Sequence, residues 1–173
     1  VTFCGGEPTL HMDYLSGVMR ELKKNSIHIT LQTNGMFNYK NFKEKILPYV
    51  DLVYYDLKII NSEKHKEYTG AGNEIILENF SQIFNEISHN SDISVVPVIA
   101  LVPGITATES NLADVGDFLK KNNCNDFRVL PYNCGGITKR LIIGDMIPQN
   151  VPHSVMNMEE EEKWREIIFS RLL

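Results

Sequence analysis

Apolar residues fall along the chain in two alternating patterns. Short, mostly continuous apolar runs occupy residues 1–4, 27–32, 52–57, 93–102 and 127–130. Runs of this length, rich in Val and Ile, predict strands, and their lack of period-two alternation predicts burial on both faces. Between them apolar residues recur every three or four positions: Tyr14, Leu15, Val18, Met19 and Leu22; Ile76, Phe80, Ile83, Phe84 and Ile87; Leu112, Val115, Phe118 and Leu119. That spacing predicts helices whose apolar stripes cover a sheet. A weaker helix is predicted over residues 41–47, stopped by Pro48. Trp164, Ile167 and Ile168 place a last helix near the C-terminus.

Strand and helix thus alternate five times, the rhythm of parallel βαβ units at roughly 30 residues each. A closed eight-fold barrel takes about 250 residues, more than the 173 present. The fold class expected is α/β, either an open parallel sheet or an incomplete TIM-like barrel, in a single domain over residues 1–173. Residues 134–155, with their Gly and Pro, read as a long surface loop. The chain starts directly on a strand with no initiator Met, which predicts that a segment precedes it.

Composition narrows the function classes. With 43% hydrophobic and 23% charged residues the chain has the make-up of a soluble globular domain. No apolar run approaches the roughly 18 residues of a membrane span, so no membrane partner is expected and the cytoplasm is the default location. A net charge of −5 argues against nucleic acid as principal partner. Cys4, Cys124 and Cys134 form no C-x-x-C pair, and an odd count predicts buried, reduced thiols rather than disulfides. His11, His28, His65, His89 and His153 lack metal-ligand spacing and read as surface or internally satisfied histidines. The acidic residues 159–162 suit the solvated first turn of the last helix.

Chemistry-bearing residues gather where strands end. Gly5-Gly6-Glu7 follows the first strand, Thr33-Asn34-Gly35 the second, Asp56-Leu57-Lys58 closes the third, Pro103-Gly104 follows the fourth and Pro131-Tyr132-Asn133 the fifth. Parallel α/β sheets bind ligands at that carboxyl edge. Each segment also has a plainer explanation. The first is a strand-to-helix turn, Thr33-Asn34-Gly35 is a good turn in its own right, and Asp56 with Lys58 is an internal ion pair. Against that, residues two apart on a strand share a face, so Asp56 and Lys58 place opposite charges together on an otherwise apolar strand. Two glycines before Glu7 leave main-chain groups bare beside a carboxylate that suits an ammonium group.

Taken in order, Phe3-Cys4-Gly5-Gly6-Glu7-Pro8, Leu31-Gln32-Thr33-Asn34-Gly35, Tyr55-Asp56-Leu57-Lys58, residues 65–70 with 73–79, Leu101-Val102-Pro103-Gly104 and Leu130-Pro131-Tyr132 resemble the glycyl-radical-enzyme activating enzymes, radical SAM proteins. Pyruvate formate-lyase activating enzymes are similar, over residues 1–133 and more loosely through the last helix. The resemblance implies a six-stranded partial barrel, S-adenosylmethionine and, in the full-length protein, a [4Fe-4S] cluster. Reductive cleavage of the cofactor then makes a 5′-deoxyadenosyl radical that takes a hydrogen from a glycine of a partner glycyl radical enzyme. The electron donor implied is a flavodoxin or ferredoxin.

Carried onto this chain, Gly5, Gly6 and Glu7 hold the methionyl ammonium group. Asp56, Leu57 and Lys58 lie near its carboxylate, with Asp56 and Thr33 in a monovalent-cation site, and residues 130–133, ending on Asn133, approach the adenosine. No residue of this chain is assigned as catalytic or as a metal ligand. The family's C-x-x-x-C-x-x-C cluster loop precedes the Gly-Gly-Glu strand and is not in the sequence, so the chain reads as the later part of an activase, inactive by itself. Gln32 stands where many activases have Asp, Asn133 where many have His, and Val96-Pro97 near where relatives offer an Arg. Two other readings stay open: a degenerate barrel that binds another protein without catalysis, and a Schiff-base lyase using Lys58. An apolar sheet edge left open by a missing strand further predicts self-association.

Overall fold

The computed structural model describes residues 1–87, 92–144, 146 and 152–173. Five strands, β1 (Thr2–Phe3), β2 (Thr30–Thr33), β3 (Leu52–Leu57), β4 (Ser94–Leu101) and β5 (Arg128–Pro131), pair in parallel. Their order in the sheet is their order in sequence. Right-handed crossovers in an unbroken order place every connecting helix on one face, which is the winding of a barrel, whereas a doubly wound sheet reverses its order part-way. The topology therefore resolves the choice left by the sequence in favour of an incomplete barrel.

The predicted helices form as α1 (Met12–Lys24), α2 (Tyr39–Lys45), α4 (Glu74–Ile87), α5 (Glu109–Lys121) and α7 (Met158–Leu172). Two more, α3 (Ser62–Thr69) and α6 (Gly135–Ile143), carry no apolar stripe strong enough to announce them. Helix starts are capped by short polar side chains: Asn38 Oδ1 accepts from Asn41 N at 3.0 Å, Thr108 caps α5, and Asn157 and Glu160 form a reciprocal capping box at α7. Glu159, Glu160 and Glu161 fill the first turn of α7.

One face of the sheet is packed and the other is open. Leu31, Val53, Tyr55, Leu57, Ile99, Leu101 and Val129 meet Met19, Phe42, Phe80, Ile83, Leu112 and Leu119 in a continuous core. On the opposite face Gln32, Tyr54 and Asp56 are half-buried, and Arg128 and Leu130 are exposed. Burial on both faces is thus realised only along β4, where residues 95–99 are all buried. For the other strands the expectation is corrected, because helices cover only the convex side.

Three further expectations need correction. Residues 134–155 are not one loop, since α6 lies within them; positions 145 and 147–151 fall outside the described residues. Tyr14 does not join the α1 stripe: it is 77% exposed, and Leu15, Ser16 and Met19 are buried instead. Of the three free thiols only Cys124 is buried, its pKa pushed up to about 11 by burial, while Cys4 is exposed. His65 is buried and bonded to Ala71 O at 2.7 Å, whereas His11, His28 and His153 are exposed. His89 lies outside the described residues. No helix among the described residues is long and apolar enough to cross a membrane.

Candidate functional site

At the carboxyl edge of β1 to β3 a cleft of about 320 Å3 is lined by Cys4, Gly5, Gly6, Glu7, Gln32, Thr33, Asn34, Asp56 and Lys58. Of the eight residues assigned from sequence, Gly5, Gly6, Glu7, Thr33, Asp56 and Lys58 meet there. Leu57 does not face it: strand alternation turns its side chain into the core, where it is 1% exposed. Asn133 is also outside the lining and accepts a hydrogen bond from Gly135 N at 2.8 Å. Cys4, Gln32 and Asn34 line the cleft without having been assigned to it. Their position beside the two loop motifs was the available signal.

Glu7 is the most constrained side chain of the cleft. Its Oε1 accepts from Thr9 N at 3.1 Å, Thr9 Oγ1 at 2.7 Å and Thr33 Oγ1 at 2.8 Å, while Oε2 accepts from Asn34 N at 2.7 Å. These bonds tie the 3-10 turn Pro8–His11 to the end of β2 and hold a carboxylate in one orientation. Oε2, with a single donor, keeps acceptor capacity. The Thr33 hydroxyl, 1% exposed, is spent on Glu7 and on Gly35 N at 3.2 Å.

The preceding glycines shape the other wall. Gly5 and Gly6 adopt φ of +87° and +55°, and a Cβ built on either would meet nothing within 4 Å. Substituents there would therefore project into open space rather than into protein, leaving main-chain groups bare. Gly35 is the contrary case: with φ +79°, its Cβ would stand 2.0 Å from Tyr55 Oη. The turn it occupies is fastened from below by Asn79 Nδ2, which donates to Gly35 O and Phe37 O at 2.8 Å each. Burial pushes the Tyr55 phenol far above its ordinary pKa, and the nearby Glu7 charge adds to the shift.

Lys58 lines the same cleft as Glu7. Its Nζ lies 3.3 Å from Asp56 Oδ2, a long contact between side chains 37% and 24% exposed, and Gln32 Nε2 reaches Asp56 Oδ1 at 3.5 Å. Buried asparagines fix the backbone around it. Asn111 Nδ2 donates to Lys58 O at 2.9 Å while its Oδ1 accepts from Ile60 N at 3.0 Å. Asn73 Nδ2 donates to Ile59 O and Ile60 O at 2.7 and 2.8 Å. Sequence reasoning missed Asn111, which sits within a helical stripe as an isolated polar residue. The polar walls around Lys58 are not the apolar pocket that activates an imine-forming lysine. Among the described residues no three His, Cys, Asp or Glu side chains converge to hold a metal ion.

Residues 1–115, the segment that carries this cleft, match the sequence profile of the radical SAM superfamily. The chain belongs to the radical SAM superfamily. It is 34% identical over 144 residues to the 4-hydroxyphenylacetate decarboxylase activating enzyme of Clostridioides difficile (strain CD196), a match covering 83% of this chain and 44% of that protein. It is 32% identical over 170 residues to the trans-4-hydroxy-L-proline dehydratase activating enzyme of Clostridioides difficile, covering 96% and 53%. The chain thus spans about half the length of these curated relatives. Its fold superposes on a crystal structure of a domain of pyruvate-formate lyase-activating enzyme from Bacteroides vulgatus ATCC 8482 with a TM-score of 0.77, at 23% identity, over 100% of this chain and 94% of that one.

Proposed function

We propose that residues 1–173 form a radical SAM core domain whose strand-end cleft binds S-adenosylmethionine, within a cytoplasmic activating enzyme that installs a glycyl radical on a partner enzyme. The observation that carries this reading is the placement of a fixed carboxylate, Glu7, and an ammonium, Lys58, in one cleft beside two bare glycines. An amino-acid zwitterion needs one receptor of each sign. Glu7 Oε2 and the carbonyls of Gly5 and Gly6 suit its ammonium group, and Lys58 suits its carboxylate. When bound, S-adenosylmethionine supplies a sulfonium that can be cleaved by one-electron reduction, with a flavodoxin or ferredoxin as the electron donor we propose.

The chain's own residues do the binding and orienting. Because four hydrogen bonds already fix Glu7, little side-chain entropy remains to be lost when a ligand arrives. Asp56 keeps Lys58 in the cleft, and Asn111 and Asn73 keep the backbone that carries it in place. Cys4, Cys124 and Cys134 are free thiols and form no cluster site among the described residues.

Calorimetric titration with S-adenosylmethionine tests the reading. Lys58→Met removes a charge-assisted hydrogen bond and is expected to weaken binding by roughly 10- to 100-fold, with thermal unfolding little changed because Lys58 is partly exposed. Equal affinity in the two proteins would overturn the assignment of Lys58 and with it the cleft.

A further inference from the structure

Arg128 occupies the open face of the sheet and is exposed to solvent, yet it does not extend into water. Its guanidinium carbon lies 5.0 Å from the centroid of the Tyr54 ring. Tyr54 pairs in register with Val96, and Arg128 with Val98, so the side chain reaches back across β4 to touch β3. Two strand spacings amount to about 10 Å, a long reach that lays the side chain along the concave surface.

A cation held over a ring is attracted by the ring's quadrupole and spends none of the guanidinium N–H donors on a hydrogen bond. No carboxylate among the described residues lies within ion-pair distance of Arg128. Beside it opens a recess of about 160 Å3, lined by Gln32, Tyr54, Val98, Arg128 and Leu130. That is room for about five water molecules, or for one small planar group. Tyr54, Val98 and Leu130 make its walls largely apolar, which strengthens a charge pair formed inside. Gln32 adds an amide whose second N–H is available alongside its 3.5 Å contact to Asp56.

We propose that Arg128, braced on Tyr54, is a carboxylate receptor on the concave face of the sheet and that it selects an acidic side chain of an extended peptide laid across that face. A carboxylate is planar and matches the guanidinium fork with two parallel hydrogen bonds. A phosphate dianion would leave charge unpaired against a single cation in an apolar recess. Only the peptide as carrier rests on the function proposed above; recognition of the carboxylate stands without it. The recess and the cofactor cleft share the Gln32 side chain but no charged residue.

The test is NMR of the intact chain, read at the Arg128 Nε–H in the parent protein and at the Gln32 side-chain amide of the same recess in the parent and in both variants, during titration with N-acetyl-aspartyl-glycinamide, N-acetyl-asparaginyl-glycinamide, sodium acetate and sodium chloride. The aspartyl probe is expected to shift the signal saturably and to bind at least about tenfold more tightly than the asparaginyl probe. Arg128→Lys, which keeps the charge but loses the fork and the stack, should lose most of that preference, and Arg128→Gln all of it. Both substitutions are at an exposed position, and thermal unfolding confirms the fold. Equal binding of the two peptides, a response matched by chloride, or an unchanged preference in Arg128→Gln would overturn the receptor. Acetate binding as tightly as the aspartyl probe would overturn the peptide as carrier and leave a small free acid. S-adenosylmethionine affinity in Arg128→Gln should be unchanged; its loss would overturn the assignment of Arg128 to a separate site. The Lys58→Met titration reads the cofactor cleft independently.

Discussion

Two glycines with similar backbone angles have opposite duties, and substitution separates them. Gly6 and Gly35 have φ of +55° and +79°, so alanine at either costs about 1–2 kcal/mol of backbone strain. At Gly6, which lines the cleft, the new methyl meets no protein. Gly6→Ala should therefore fold with a modest fall in Tm but bind S-adenosylmethionine at least about tenfold more weakly, since even small misplacement of a bound ligand is costly. At Gly35 the methyl would occupy the place of the Tyr55 hydroxyl, which donates to Ile76 O at 2.6 Å. Gly35→Ala should lose stability by about 3 kcal/mol or more, adding overpacking to strain. Paired thermal unfolding and calorimetry check both; comparable stability losses in the two variants would contradict the division.

At the amino edge of the sheet a single carboxylate performs a stability task. Asp51 accepts from Lys23 Nζ at 2.5 and 2.6 Å and from Ile29 N at 2.7 Å. Burial works to raise its pKa, but the hydrogen bonds from Lys23 and Ile29, together with nearby positive charge, hold the carboxyl below its ordinary value. The unfolded chain accordingly takes up the proton first as pH falls. The contribution is complete above the ordinary Asp pKa of about 3.9 and is lost as pH drops through the lowered folded value. Asp51→Asn should cost about 2 kcal/mol at pH 7, roughly 4–8 °C in Tm. Its stability curve should also lose part of the acid-side decline, which unfolding from pH 7 to pH 2 would measure.

Among the elements, α5 and α7 show what a sequence displays and what it hides. The apolar stripe of α5 and the cluster Trp164, Ile167 and Ile168 announce two helices that must bury a face. Nothing in either announces that they bury it against each other at Gly116. A Cβ there would come within 2.6 Å of Arg171 Cβ and 2.9 Å of Ile168 O, and Ile168 is fully buried. Arg171 then reaches Asp117 at 2.6 and 2.8 Å. Gly116→Val should force the helices apart at a cost of about 2–3 kcal/mol, with α7 the first element to exchange amide hydrogens. Protection of α7 equal to that in the parent protein would show that the contact yields without loss.

The same division between pattern and packing holds for the site. The strand-end glycines, Glu7, Asp56 and Lys58 were legible because parallel sheets present ligands at one edge and strand alternation pairs positions two apart. Leu57 was misplaced by treating a three-residue motif as one surface. Asn73 and Asn111 were illegible in their roles because what they bond, the main chain after β3, is brought to them only by the fold. α6 has no buried residue, so no stripe existed to be read.

At the scale of the whole fold, the sheet of the described residues ends on β1 and β5, each paired there on one side. The two are not equal hazards. β1 is two residues long, whereas β5 is four and carries Leu130 at 47% exposure. Pro131 ends β5 with a residue that has no N–H to offer, which blunts but does not remove the edge. Ile142 and Ile143, 79% and 74% exposed on α6, the helix that follows β5, add apolar surface. Copies of a chain with net charge −5 repel one another at long range, but at 0.15 M ionic strength that repulsion is screened beyond about 8 Å. Self-association should therefore grow with protein concentration and with added salt, the opposite of what ion-pair assembly would do. Leu130→Lys, a charge placed on the edge strand, should reduce it. Sedimentation velocity across a concentration series at low and high salt decides the matter: a single monomer boundary throughout would mean that brevity of β1 and the proline in β5 suffice to keep open edges apart.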